Sequence, residues 1–319
     1  MKLLVSKSLT MSAAAAALML GVAACAPAEN AKRPEAAETA ATASGPVVAA
    51  SEGVFPFKIG SLDAIALLDG ANPVPNDNQV FGFGRTPADV AAVLSAAGQP
   101  TDVMNLSIHP LLVKDGNRTV LIDAGAGAAF GDKAGKLVGN LTAAGIDPAS
   151  ITDVLISHSH PDHIGGLVTP QGALAFPNAT IRMSAAEWTY LQANVDMAAL
   201  VRAITPKVQT FAPGAVVAPG ITAVALAGHT PGHTLYEIAS GTDKLLYAGD
   251  TAHQFVVSLA HPEWQMGYDG DKVAGAKQRQ AELAALAASG ERVYFHHFPF
   301  PGVGRVQKAA QGYVWVPEG

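Results

Sequence analysis

The stretch Ile156-Ser157-His158-Ser159-His160-Pro161-Asp162-His163-Ile164-Gly165-Gly166 places three histidines and one aspartate within six positions, between an apolar run and a glycine pair. It restricts the fold more than any other segment, because donors this dense must be presented from the end of a rigid element. The preceding TDVLIS (152–157) is a short β-branched run, compatible with a buried strand that ends at a site. An extended backbone points His158 and His160, two apart, the same way. Pro161 disfavours helix at His160, Asp162-His163 begin a turn, and Gly165-Gly166 admit close backbone approach. Neutral imidazoles and a carboxylate are the ligand set of zinc and similar divalent cations. Four donors exceed what one catalytic metal needs, so the pattern predicts two; a merely polar surface loop would rarely carry them in this order.

Further donors stand at the ends of other predicted strands. His229 lies in the turn AGHTPGHT (227–234), Asp250 closes LLYAGD, and His296-His297 close VYFHH. Ligands delivered from successive strand ends are how a sheet holds a rigid site. DAIALLD (63–69), LSIHPLLVK (106–114) and RTVLIDAG (118–125) read as strands, the last two joined by a KDGN hairpin turn. ATIRMS, KVQTFA, ITAVALAG, TLYEIAS, KLLYAGD and RVYFHHF continue the pattern. Helices are expected over 86–98, with Thr86 as N-cap and Pro87 at its first position, and over 271–288. Many strands with few helices predict a layered α/β protein.

The N-terminus is of another kind. Lys2 and Lys7 precede an apolar run and then Val22-Ala23-Ala24-Cys25, so residues 1–25 read as a lipoprotein-type signal peptide with its lipobox at Cys25, the only cysteine of the chain. Residues 26–52, rich in Ala, Pro, Glu and Thr, read as a flexible tether, and 53–319 as one folded domain. The expected location is therefore exported, on the periplasmic side, with a lipid anchor as the sole tie to the outer membrane. A net charge of −6 without a basic stripe argues against nucleic acid as a partner.

These motifs resemble those of the metallo-β-lactamase superfamily, whose His-x-His-x-Asp-His element is met by His158, His160, Asp162 and His163. HPDHIGGL, LAFPNATIR, GHTPGHT and HFPFPGVGRV are similar to its methyl parathion hydrolase and acyl-homoserine lactonase-like members. The resemblance implies an αββα sandwich of two packed mixed sheets flanked by helices. It also implies that His158, His160 and His229 hold one metal and Asp162, His163 and His297 a second, with Asp250 bridging. His297 is preferred to His296 because it directly precedes the Phe-Pro segment, and strand alternation lets only one of the two face the metals. His233 and Asp123 are expected in supporting roles, His109 and His261 in structural or surface ones. His253, three residues after Asp250, stands where the lactonases often carry a substrate-contacting Tyr.

The chemistry expected is hydrolysis without a covalent enzyme intermediate, by a hydroxide bridging two cations roughly 3.5–4 Å apart. Asp162, Asp250 and His253 are the candidate catalytic residues, and zinc is the first choice of metal, with Mn, Fe or Co alternatives. The expected substrate is a small apolar lactone, carboxylic ester or phosphotriester, a lactone first. Phe81 and Phe83 in the loop 71–84, with Trp188, Tyr190 and Trp264, are candidates for its pocket. Rival readings are a β-lactamase, a glyoxalase-II-like thioester hydrolase and a non-catalytic metal-binding lipoprotein. The oligomeric state stays open, a homodimer being one option.

Overall fold

The computed structural model describes residues 50–318. The proposed signal peptide, Cys25 and all but the last three residues of the tether lie outside the described residues. In chain order the strands are β1 (Val54–Ile59), β2 (Leu62–Leu67), β3 (Gly70–Pro75), β4 (Val103–Ile108), β5 (Leu111–Asp115), β6 (Arg118–Ile122), β7 (Asp153–Leu155), β8 (Thr180–Ser184), β9 (Val208–Phe211), β10 (Val216–Ala218), β11 (Ile221–Ala225), β12 (Thr234–Ser240), β13 (Asp243–Tyr247), β14 (Arg292–Tyr294), β15 (Val303–Lys308) and β16 (Tyr313–Pro317). The α-helices are α1 (Pro87–Ala96), α2 (Leu137–Ala143), α3 (Pro161–Ile164), α4 (Ala185–Ala193), α5 (Ala198–Ile204), α6 (Val257–Ala260) and α7 (Lys272–Ser289).

One mixed sheet has the order β1-β2-β5-β6-β7-β8-β9 and a second the order β10-β11-β12-β13-β14-β15-β16; β3 and β4 form a separate two-stranded ribbon. Side-chain alternation explains the layering. Ala64, Ala66, Leu111, Val113, Val120 and Ile122 turn inward and meet Ala223, Tyr236, Ile238, Leu245 and Tyr247 of the second sheet. Their neighbours Ile65, Leu67, Leu112 and Leu121 turn outward, onto Leu137 and Leu141 of α2, Leu191 of α4 and Ile204 of α5. On the far side, Leu235, Leu246 and Val293 pack against Leu283 and Leu286 of α7. Both faces of the central strands are thus buried, which is why they read as unbroken apolar runs. The result is helix, sheet, sheet, helix: the expected sandwich.

Caps fix the helix ends as the sequence suggests. Thr86 and Asp89 form a reciprocal capping box on α1, and Asp271 caps α7, which stops at Gly290 in the left-handed region. Two expectations need correction. LSIHPLLVK is not one strand: it breaks at His109-Pro110, where β4 leaves for the ribbon and β5 begins in the first sheet. Buried His109 holds that break, its ring bonded to the Tyr294 hydroxyl and the Phe298 carbonyl. The supposed loop 71–84 also begins as strand β3, paired along β4 from Gly70 to Pro75.

Candidate metal centre

All the candidate donors lie beyond strand ends. His158 and His160 follow β7, Asp162 and His163 lie on α3, His229 sits between β11 and β12, Asp250 follows β13, and His297 follows β14. Gly165 and Gly166 pack so tightly beneath the loop after β6 that a Cβ on either would lie 2.2 Å or less from a carbonyl oxygen, of Ala126 or Ala124.

The structure brings the seven residues together. His158 Nε2, His160 Nδ1 and His229 Nε2 form a triangle with edges of 2.9 to 3.2 Å. Asp250 Oδ2 lies 3.4 Å from His158 Nε2 and 3.3 Å from His229 Nε2. Its other oxygen, Oδ1, lies 3.2 Å from His163 Nε2 and 3.3 Å from His297 Nε2. Asp162 Oδ2 stands 3.4 Å from His297 Nε2, and Asp162 Oδ1 3.9 Å from His163 Nε2. The carboxylate of Asp250 therefore has one oxygen turned to each group of imidazoles.

These residues fit a pair of divalent cations. His163 Nε2 and Asp250 Oδ1 are buried without a hydrogen bond, although 3.2 Å apart, because each is aimed at shared space rather than at the other. Unsatisfied buried polar atoms are costly unless something meets them. The far nitrogen of most rings is tied down, as in metal-ligating histidines. His229 Nδ1 donates to Asp269 Oδ1 (3.0 Å), His163 Nδ1 to Asp123 Oδ2 (2.7 Å) and His297 Nδ1 to the Ser107 carbonyl (2.7 Å). His158 Nδ1 lies 3.1 Å from Ser157 Oγ, which itself donates to Asp123.

Electrostatics separates the rings. Burial, with His163 beside it, holds His158 well below the ordinary histidine range, and burial near His229 brings His160 to about 3. Burial opposes charge on His163 too, but Asp250, Asp123 and Asp162 outweigh it and raise its pKa. At His229 burial is likewise outweighed, by Asp250 and Asp269, and the pKa reaches about 9. Against the cost of burial, His163 first, with His253, His297 and His158, holds Asp250 far below the carboxylate range.

His233 and Asp123 stand behind the centre. His233 Nε2 accepts the Asp250 backbone N–H at 3.0 Å. Asp123, fully buried at a φ of 60°, accepts from Ser157 N, Ser157 Oγ, His163 Nδ1 and Tyr247 Oη, each at 2.7 Å. His253 is buried with its Nε2 2.9 Å from Asp250 Oδ2, yet neither ring nitrogen has a hydrogen-bond partner. Strand alternation does not separate His296 from His297, because β14 ends at Tyr294 and both lie in the following turn. The ring nitrogens of His163, His296 and His297 can approach within 4.8 Å of one another. Yet no carboxylate among the described residues lies within 4.0 Å of a ring nitrogen of His296, whose Nδ1 meets the Tyr247 hydroxyl and whose ring lies tilted by 31° with its centre 4.1 Å from that of His163.

The pocket aromatics fare less well. Phe81 is buried in a core cluster with Val90 and Leu94, and Trp264 packs against it; Trp188 packs beneath the first sheet. Phe83 and Tyr190 are exposed. Tyr268, unremarked in the sequence, is the aromatic beside the centre, its ring 6.0 Å from His253. A cavity of about 700 Å³ adjoins the same loops, lined by Ser107, Gln254, Phe255, Pro299 and Phe300 among others, but by none of the candidate ligands. Equally unforeseen were Glu187 and Asp269, both buried; a lone Glu in AAEWTYL and an Asp in YDGD carry no sequence signal of a role behind histidines.

Comparison with known proteins is consistent with this geometry. A model of the Metallo-beta-lactamase superfamily matches residues 106–297. The dizinc quorum-quenching lactonase AidC, solved with its product N-hexanoyl-L-homoserine, is 30% identical, with a TM-score of 0.79 over 84% of this chain and 98% of its own. The hydrolase AbOPH of the beta lactamase superfamily is 29% identical, with a TM-score of 0.76 over the same shares. A probable metal-dependent hydrolase from Staphylococcus aureus, at 22% identity and a TM-score of 0.68 over 82% of this chain and 99% of its own, shares the fold. No curated protein sequence matches. Fold, donor set and matched residues lead to one assignment: the chain belongs to the metallo-beta-lactamase superfamily.

Proposed function

We propose that the protein is an exported two-metal hydrolase that opens a lactone, with related carboxylic esters and phosphotriesters as further substrates. The observation that carries the reading is Asp250, whose two oxygens face two different sets of imidazoles at 3.2 to 3.4 Å. On this reading His158, His160 and His229 hold one cation, Asp162, His163 and His297 the other, and Asp250 both. When bound, two divalent cations, zinc first among them, supply Lewis acidity toward the scissile carbonyl and activate water at neutral pH.

The chain's own residues orient and exclude. Asp269, Asp123 and the Ser107 carbonyl fix three rings so that their lone pairs converge. His253, brought to about 4 by burial against the pull of Asp250, is a neutral imidazole, and on this reading its ring N–H is offered to an ester oxygen of the substrate. Asp162, at 13% side-chain exposure, and the partly exposed Tyr268 mark the side from which substrate approaches; the imidazoles of His158, His163 and His297 are shut from solvent. A lactone is favoured because the relative with 30% identity is a lactonase solved with an acyl-homoserine product. The signal-like segment ending at Cys25 would carry the enzyme to the periplasmic side.

Protein stripped of metal and reloaded with two equivalents of zinc is expected to hydrolyse N-acyl homoserine lactones and aryl esters. Asp250→Asn is expected to lower kcat/KM by roughly 10³-fold, about 4 kcal/mol of barrier. An Asp250→Asn variant as active as the parent, or a loaded parent inert toward lactones, aryl esters and phosphotriesters alike, refutes the reading.

A further inference from the structure

Glu187 lies on α4, outside every segment that supplies a candidate ligand, and it is wholly buried. No Lys, Arg or His nitrogen among the described residues lies within 4.0 Å of its carboxylate, since none of the ion pairs there involves it. Instead it accepts four hydrogen bonds. Oε1 takes the backbone N–H of Ser159 at 2.7 Å and the Ser159 hydroxyl at 2.5 Å. Oε2 takes the Thr230 hydroxyl at 2.7 Å and the Gly232 N–H at 3.1 Å. Ser159 sits between His158 and His160; Thr230 directly follows His229. One side chain thus ties together the two loops that hold the imidazole triangle.

The surrounding packing is shaped to that contact. Gly232 lies so close to the start of α4 that a Cβ there would stand 2.2 Å from the Glu187 amide nitrogen. Ser184, the N-cap of α4, accepts the Glu187 N–H and donates to the Gly232 carbonyl at 2.8 Å. A carboxylate suits this place because it offers acceptors only. An amide of the same size would turn an NH₂ group toward two donors and leave them unmet.

We infer that Glu187 is a positioning residue for one metal only: it sets the spacing of His158, His160 and His229, and with it the affinity of that half of the centre. Asp162, His163 and His297 are held by other partners and do not depend on it. The inference rests on the two-metal reading above.

The test is zinc binding by the full-length protein, followed by chelator competition, with melting of the metal-free form as a control on folding. If the parent takes up fewer than two equivalents, the two-metal reading itself fails. If it takes up two, Glu187→Gln is expected to weaken one site by about ten- to a hundredfold and leave the other unchanged. Combining Glu187→Gln with His297→Ala should weaken both sites, each to the extent that the single variant weakens it. Equal weakening of the two sites, or two equivalents bound as tightly as in the parent, overturns the inference. Should Glu187→Gln not fold, the pair Ser159→Ala and Thr230→Val removes one bond from each loop and is judged by the same outcomes.

Discussion

The two halves of the candidate metal centre are built from similar side chains on different foundations. In the first, three ring nitrogens crowd to within 2.9 to 3.2 Å of one another, and the nearest carboxylates are Asp250 in front and Asp269 behind. In the second, two rings stand among three carboxylates, Asp123, Asp162 and Asp250. Proximity of acids outweighs burial at His163 and at His297 and raises both pKa values, whereas burial prevails at His158 and His160. Without metal, the neighbouring acids favour the charged form of the rings in the second half, while burial favours the neutral form at His158 and His160. Equal ligand counts do not make equal sites: the acids behind the rings decide what occupies the space in front.

The comparison breaks first at Asp123. Asp123→Asn leaves some of its four donors unmet, costing about 1–3 kcal/mol of stability. It should also weaken the second-half metal by about ten- to a hundredfold, because His163 loses its anchor. Denaturant unfolding and metal titration check both effects, and loss of the first-half metal instead would dissolve the distinction between the halves.

Asp269→Asn sharpens it from the other side. The buried Asp269 also meets Arg279 at 3.3 Å, so the amide would leave that guanidinium short of its partner. The expected result is first-half affinity reduced by about tenfold, with the second half untouched. It should also remove one of the interactions that carry His229 to about 9. With its folded pKa raised, His229 contributes stability to the metal-free protein that is fully present below about 6.5 and lost as pH rises through about 9. Asp269→Asn should flatten that alkaline decline in melting temperature.

The smallest effect on metal binding is expected at His109, which belongs to neither half. Burial brings its pKa to about 4, so it contributes stability above 6.5 that is lost as pH falls from 6.5 toward 4. His109→Gln is expected to shrink the acid-side loss of stability, and melting curves from pH 7 to pH 4 measure it. An unchanged acid slope would remove His109 from the account.

The positions of most strands and the identity of the centre's donors were readable in the sequence, because both are written locally. Apolar runs between turn signals mark strands buried on both faces. Asp123 is named by the resemblance of LIDAG to a family position; the apolar run before it marks a strand but assigns the aspartate no role. Pro110 marks a break at His109-Pro110, but where the chain goes after it depends on partners nearly two hundred residues away, among them the Tyr294 hydroxyl and the Phe298 carbonyl. Phe81 and Trp264 show the same limit: an irregular segment does not say whether its aromatics wall a pocket or pack onto the body, and here the ribbon and α1 supply a core for them.

The sequence by itself determined the chemistry available, a dense set of imidazoles and carboxylates at strand ends, since ligand type is a property of single residues. Only the tertiary structure decided which oxygen of Asp250 faces which rings, that His160 turns Nδ1 inward where His158 turns Nε2, and that Glu187 and Asp269 stand behind them. Those are matters of direction and of partners far apart along the chain, and such partners meet only once both sheets have packed.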